Sequence, residues 1–163
     1  MLTWGKRRGF VPESCYEAAE DGMNHECPED HLTENSCRQT NNFYKVIDFC
    51  LAQTAEGIKK EILTNGPVVG QITPNTDFLT YHDGIYARSQ DSFRFNGNHV
   101  LKVVGWEKQA DDSDAWIVMN TWGEEWGDQG YAKIHGNGET SLDFYAISMS
   151  TYPLTMADYY QQQ

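Results

Sequence analysis

Two apolar runs frame this chain. Val100-Leu101-Lys102-Val103-Val104-Gly105-Trp106 and Trp116-Ile117-Val118-Met119 are rich in β-branched and aromatic residues, and a polar linker at 107–114 separates them. The pattern predicts successive strands of one antiparallel sheet. Upstream, 54–66 carries a helical period: Thr54 can cap the start, Ile58, Ile62 and Leu63 share a face, and Gly66 can stop it. Pro67-Val68-Val69-Gly70-Gln71-Ile72 reads as a strand, since proline is permitted at a first strand position. The aromatic segment 77–86 ends in a turn at Gly84, and Phe78, Leu79 and Tyr86 are assigned to the core. Gly130-Tyr131-Ala132-Lys133-Ile134 and Phe144-Tyr145-Ala146-Ile147 give the last strands. Residues 1–9 read as the tail of a helix, with Trp4 on its apolar side and Gly9 as C-cap. By contrast, 21–42 has no periodicity and reads as a loop, and the glutamines at 161–163 as a frayed end.

Composition narrows the partners. A chain of 163 residues with 39% hydrophobic content suffices for one domain with a core. Net charge is −12, and Lys6-Arg7-Arg8 is the one basic cluster, which speaks against nucleic acid. No window approaches 18 apolar residues, so no membrane span is expected. No apolar core follows the basic cluster, so a signal peptide is not expected within these residues.

Four cysteines, at 15, 27, 37 and 50, allow three full pairings. Three lie in polar, loop-rich sequence, which favours disulfides and an oxidising compartment. That conflicts with the lack of a signal peptide unless Met1 is not the natural start. Cys27 and Cys37 could close the 21–42 loop locally. Cys50 ends the apolar run Val46-Ile47-Asp48-Phe49 and is expected as a buried free thiol. His25, Cys27, His31 and Cys37 make zinc conceivable, but no C-x-x-C pair or rigid helix presents them, so no metal and no cofactor is expected.

The chemistry concentrates at the ends of the central hairpin. His99 opens its first strand and Asn120 closes its second, which sets the two side by side. An amide oxygen can accept the proton of one imidazole nitrogen, fixing the tautomer and leaving the other nitrogen to serve a nucleophile. Trp122 has the surface to cover that hydrogen bond and keep it dry.

Asn98-His99-Val100 and Asn120-Thr121-Trp122-Gly123-Glu124-Glu125-Trp126-Gly127 resemble the histidine and asparagine motifs of papain-like cysteine proteases. Arg8-Gly9-Phe10-Val11-Pro12-Glu13-Ser14-Cys15-Tyr16 resembles that family's link between its left, helical domain and its right, barrel-like one. The likeness runs to about Pro153, with cathepsins B and X as the nearest branches. It implies an α+β chain: the right-hand antiparallel β-barrel-like half of a papain-like fold. On that reading 1–9 is a helical remnant of the left domain, 10–53 a disulfide-rich connecting segment, 54–153 the barrel-like domain and 154–163 a tail.

The resemblance also implies roles. His99 and Asn120 become catalytic, paired in the family with a cysteine thiolate. Val100, Gln71 and Ile147 take positions lining the main specificity pocket, and Asn98 and Trp126 resemble the leaving-group side. Gln71 makes the pocket more polar than usual. Ile147, where cathepsin B has a glutamate, argues against arginine there. His25 and His31 lie where cathepsin B carries its histidine loop, but they are not adjacent and the loop is shorter. Leu142-Asp143-Phe144 replaces the usual Cys-Gly-Ile pattern.

One part is missing. The family signature Cys-Gly-Ser/Ala-Cys-Trp/Tyr lies about 130–150 residues before the histidine. Cys15 precedes His99 by only 84 positions, and Pro12-Glu13 replaces Cys-Gly before it. The expectation is a papain-like cysteine peptidase portion whose nucleophile comes from a missing or separate segment. The rival is a catalytically inactive module of a larger assembly. Expected partners are a peptide or protein substrate and an N-terminal chain bearing the nucleophile, or that assembly. The implied location is lysosomal, vacuolar or secreted.

Overall fold

The structure is a computed structural model that describes residues 2–7, 9–10, 43–94, 97–140 and 142–154. The expected loop at 21–42, with His25, Cys27, His31 and Cys37, lies outside these residues, as do Cys15, the tail and the side chain of Trp4. The chain divides into two compact units, 1–49 with 150–163, and 50–149.

In the first unit a helix, α1 (Leu2–Arg7), ends as the glycine pattern predicts. Gly9 adopts φ +80° and its N–H donates to the Gly5 carbonyl at 3.1 Å. The next residue, Phe10, exchanges two backbone hydrogen bonds with Tyr44 of strand β1 (Phe43–Ala52). Lys6 reaches Asp48 of that strand at 3.1 Å and lies over the Phe49 ring.

The second unit holds the core. Its helix, α2 (Ala55–Asn65), starts where Thr54 Oγ1 accepts the Gly57 N–H at 3.1 Å, a cap worth about 1 kcal/mol. It stops at Gly66, whose φ of +88° suits glycine. Ile58 is fully buried and Ile62 half-buried, but Leu63 is 77% exposed, against expectation. Five residues of helix turn Leu63 well away from Ile58, and Lys59 takes the adjacent inward position instead.

The sheet of this unit has strand order β7-β2-β4-β5-β6-β3. Here β2 is Val68–Ile72, β3 Ile85–Tyr86, β4 His99–Lys108, β5 Asp114–Met119, β6 Tyr131–His135 and β7 Ala146–Leu154, of which 146–149 belong to this unit. Neighbours run antiparallel except β3 and β6, which are parallel. Val68, Ile72, Leu101, Val103, Val118 and Ile134 face one core with Ile58 and Phe78. A bulge between Val103 and Gly105 shifts the register, so Trp106 comes opposite Trp116.

Two further expectations change. The sequence pattern predicts strand over 144–147, but Leu142–Phe144 forms a 3₁₀ turn and β7 begins at Ala146. Asp143 locks the turn by accepting the Trp116 Nε1–H at 2.7 Å and the Gly138 N–H at 2.8 Å. Leu79, expected in the core, is 43% exposed because Thr76–Thr80 is also a 3₁₀ turn, and only Phe78 of it points fully inward.

Cys50 is a free thiol as expected, but it is exposed and not buried. An apolar run does not by itself bury a strand. Ile47, Phe49 and Leu51 of β1 are exposed as well, and among its described side chains only Val46 and Ala52 are buried.

Candidate active site

His99 is the first residue of β4 and pairs with Ile72 of β2. Asn120 follows the last residue of β5, its N–H donating to the Gly130 carbonyl at 2.9 Å. The β4–β5 register sets His99 and Asn120 as diagonal neighbours on the core-facing side, beyond Leu101 and Val118. The site therefore sits at the end of the hydrophobic core, and packing fixes the backbone beneath both side chains.

Their side chains meet. His99 Nε2 is 2.7 Å from Asn120 Oδ1, and since an amide oxygen only accepts, Nε2 carries the proton. The same oxygen accepts the Thr121 N–H at 2.8 Å. His99 Nδ1 has no partner among the described residues and is left for a reacting group. Asn120 is 6% exposed, and its Nδ2 is buried without an acceptor among the described residues. An orphan donor of this kind costs about 1–3 kcal/mol.

Trp122 lies against the His99 ring, centroids 4.6 Å apart and planes 31° from parallel. It is 38% exposed, so it covers the imidazole from one side only. Behind it stands Trp126, half-buried, with ring centroids 5.2 Å apart and its Nε1–H shared between the Phe78 and Leu79 carbonyls at 3.2 Å each. Phe78 anchors this cluster: it touches Tyr81, Tyr86, Trp122 and Trp126. Sequence reasoning placed Phe78 in the core and missed that it supports the indole beside His99. No sequence signal separates that role from ordinary burial.

The remaining candidates divide between two places. Gln71 pairs directly with Val100, and Ile147 pairs with Val69, two residues from Gln71 on its strand. Alternation puts Gln71, Val100 and Ile147 on the outer face of the sheet, opposite to that of His99 and Asn120. Gln71 and Ile147 are half-buried and Val100 is 52% exposed. Asn98 is exposed just before β4, where its Oδ1 accepts from Thr73 Oγ1 at 3.1 Å. Among the described residues no group of three His, Cys, Asp or Glu could hold a metal ion.

Such a pair can pass a proton between an imidazole nitrogen and a nucleophile while the amide steadies the ring. Residues 1–152 match the family described as papain family cysteine protease. A cathepsin B-like cysteine proteinase 2 of Haemonchus contortus is 36% identical over 96 residues, 58% of this chain and 27% of that protein. A tubulointerstitial nephritis antigen-like protein of Rattus norvegicus is 26% identical over 179 residues, 88% of this chain and 37% of that protein. Among solved structures, procathepsin B S9 of Trypanosoma congolense superposes with a TM-score of 0.73 at 25% identity, covering 93% of this chain and 52% of that one. The chain thus spans about a quarter to a half of the length of these three proteins. Its α+β architecture is that of part of a papain-like fold. A match across nearly the whole of these 163 residues makes the chain a member of the papain family of cysteine proteases.

Proposed function

We propose that this chain contributes the base and its orienter to a papain-like cysteine peptidase acting through a Cys-His-Asn site. The 2.7 Å contact between His99 Nε2 and Asn120 Oδ1, with Nδ1 left open, carries the reading. The nucleophilic thiol comes from a segment outside these 163 residues, in a longer polypeptide or a separate chain. The thiol proton passes to Nδ1 of His99. The thiolate adds to the peptide carbonyl, and the imidazolium, steadied by Asn120, returns its proton to the leaving amine. Water then hydrolyses the acyl-enzyme with His99 again as base. Gln71, Val100 and Ile147, gathered on the outer face of the sheet where Val100 directly follows His99, line the main specificity pocket; Asn98 and Trp126 flank the leaving group, and Trp122 shields the His–Asn contact. The enzyme would work in a lysosome, a vacuole or outside the cell.

The test is labelling with a substrate-like, thiol-reactive probe. The chain alone should remain unlabelled at an active-site thiol. A form carrying a papain-type Cys-Gly-Ser-Cys-Trp segment should be labelled there, and only while His99 is intact. Labelling of Cys15 in the chain alone, dependent on His99, would overturn the assignment of the nucleophile.

A second reading is a catalytically inactive module within a larger assembly. One observation favours it: the relative named as an antigen, not as a proteinase, aligns along 88% of this chain. A form bearing the nucleophile segment that folds yet never reacts with the probe would select this reading.

A further inference from the structure

A second concave site lies on the far edge of the sheet. The turn at Tyr81–Gly84, strands β5 and β6 and the Asp128–Gln129 turn enclose a cleft of about 340 Å³. That volume falls in the range of small-ligand pockets, which begin at about 300 Å³. Tyr81 and Tyr131 wall it, and Ile117 opposite Lys133 lines the sheet side. It stands apart from the His99–Asn120 pair, with Trp122 and Trp126 between His99 and Tyr81.

A hydrogen-bond account of the lining shows what it lacks. The Tyr81 hydroxyl is satisfied, donating to the Gly84 carbonyl at 2.7 Å and accepting the Lys133 N–H at 3.2 Å. The Lys133 ammonium, the cleft's own cation, is taken by Glu107 at 3.0 Å. The carboxylates of Asp83 and Asp128 have no partner among the described residues, nor has the hydroxyl of Tyr131. The cleft thus presents two unneutralised carboxylates beside two aromatic rings, with its lysine already engaged. A planar guanidinium supplies several donors to carboxylates and stacks on aromatic faces, and its aliphatic stem suits Ile117. An anion would meet two like charges and, among the described residues, no free cation.

We propose that this cleft is a recognition site for a cationic peptide side chain, arginine above all, separate from the His99–Asn120 site. Both carboxylates are exposed, so each contributes modestly and the binding weakens with salt.

The experiment is amide NMR on the full 163-residue chain, titrated with N-acetyl-arginine N-methylamide and, separately, with its norleucine counterpart. The arginine compound should give saturable shifts at Asp83, Gly84, Gln129 and Tyr131, and norleucine should give none. Asp83→Asn and Asp128→Asn should each weaken binding roughly fivefold while the spectrum stays native. Equal shifts from norleucine, shifts gathered at His99 and Trp122 instead, or undiminished binding in a natively folded double variant would overturn the proposal. No turnover is measured, so failure of the peptidase reading leaves this result standing.

Discussion

One oxygen, Asn120 Oδ1, holds two donors: the His99 ring at 2.7 Å and the Thr121 N–H at 2.8 Å. The amide is therefore pinned by its own backbone before it orients the imidazole. Within the proposed peptidase, His99→Ala should remove the proton carrier and cut kcat/KM by about 10²–10⁴. Asn120→Ala should be milder, since it removes an orienter and leaves the carrier in place. Single-turnover acylation measured on both variants checks the order. Equal losses would mean that Asn120 does more than orient.

The turn that carries both site tryptophans depends on Gly127. It adopts φ +61°, and a Cβ there would run into the Tyr131 carbonyl. That carbonyl also accepts the Asp128 N–H at 2.9 Å, which closes the turn. Gly127→Ala should cost about 1–3 kcal/mol and loosen the packing of Trp126 on Phe78. Thermal unfolding with near-ultraviolet circular dichroism would report both effects. A variant as stable as the parent, with an unchanged aromatic signal, would contradict this account.

The hairpin and the His99–Asn120 contact were legible because they follow from local pattern. Alternation in 99–106 and 116–119 fixes the strands, and the short linker fixes which residues meet. Gly66 and Thr54 were legible for the same reason, since a cap is a local event. Leu63, Leu79 and Cys50 misled because burial is set by what packs from elsewhere in the chain. Asp143 could not have been read at all. Its partner is an indole 27 residues away, and only the folded turn brings Trp116 Nε1 within 2.7 Å. Gln71, Val100 and Ile147 are related through pairings among three strands, and no single window of sequence contains that register.

Exposure of Cys50 has a direct chemical test. Its thiol stands on the surface near the Glu61 carboxylate, where a maleimide can reach it. Native labelling followed by peptide mapping should find an adduct on Cys50, and Cys50→Ser should abolish that adduct without changing the melting temperature by more than a few degrees. Protection of Cys50 until the chain is unfolded would restore the buried assignment.

The last prediction concerns acid. Lys59 bonds Asp114 at 2.6 Å and Glu56 at 3.1 Å, tying α2 to the start of β5. Burial alone would raise the Asp114 carboxyl, but the Lys59 and Lys108 ammoniums together outweigh it and hold the group below its ordinary value of 3.8. The same contact raises Lys59 above 10.5. A carboxyl depressed on folding stabilises the folded state above its unfolded pKa, and that stability is lost as pH falls through the folded value. A raised lysine contributes fully below 10.5 and loses its contribution as pH climbs past that. The pair should therefore be intact from about pH 5 to pH 9, a span that includes an acidic lumen, and should fail below about pH 4. Thermal melts from pH 2.5 to 7 would show it, with Asp114→Asn less stable at pH 6 but converging on the parent as pH falls. Parallel curves for the two proteins across that range would show that Asp114 contributes nothing through its charge.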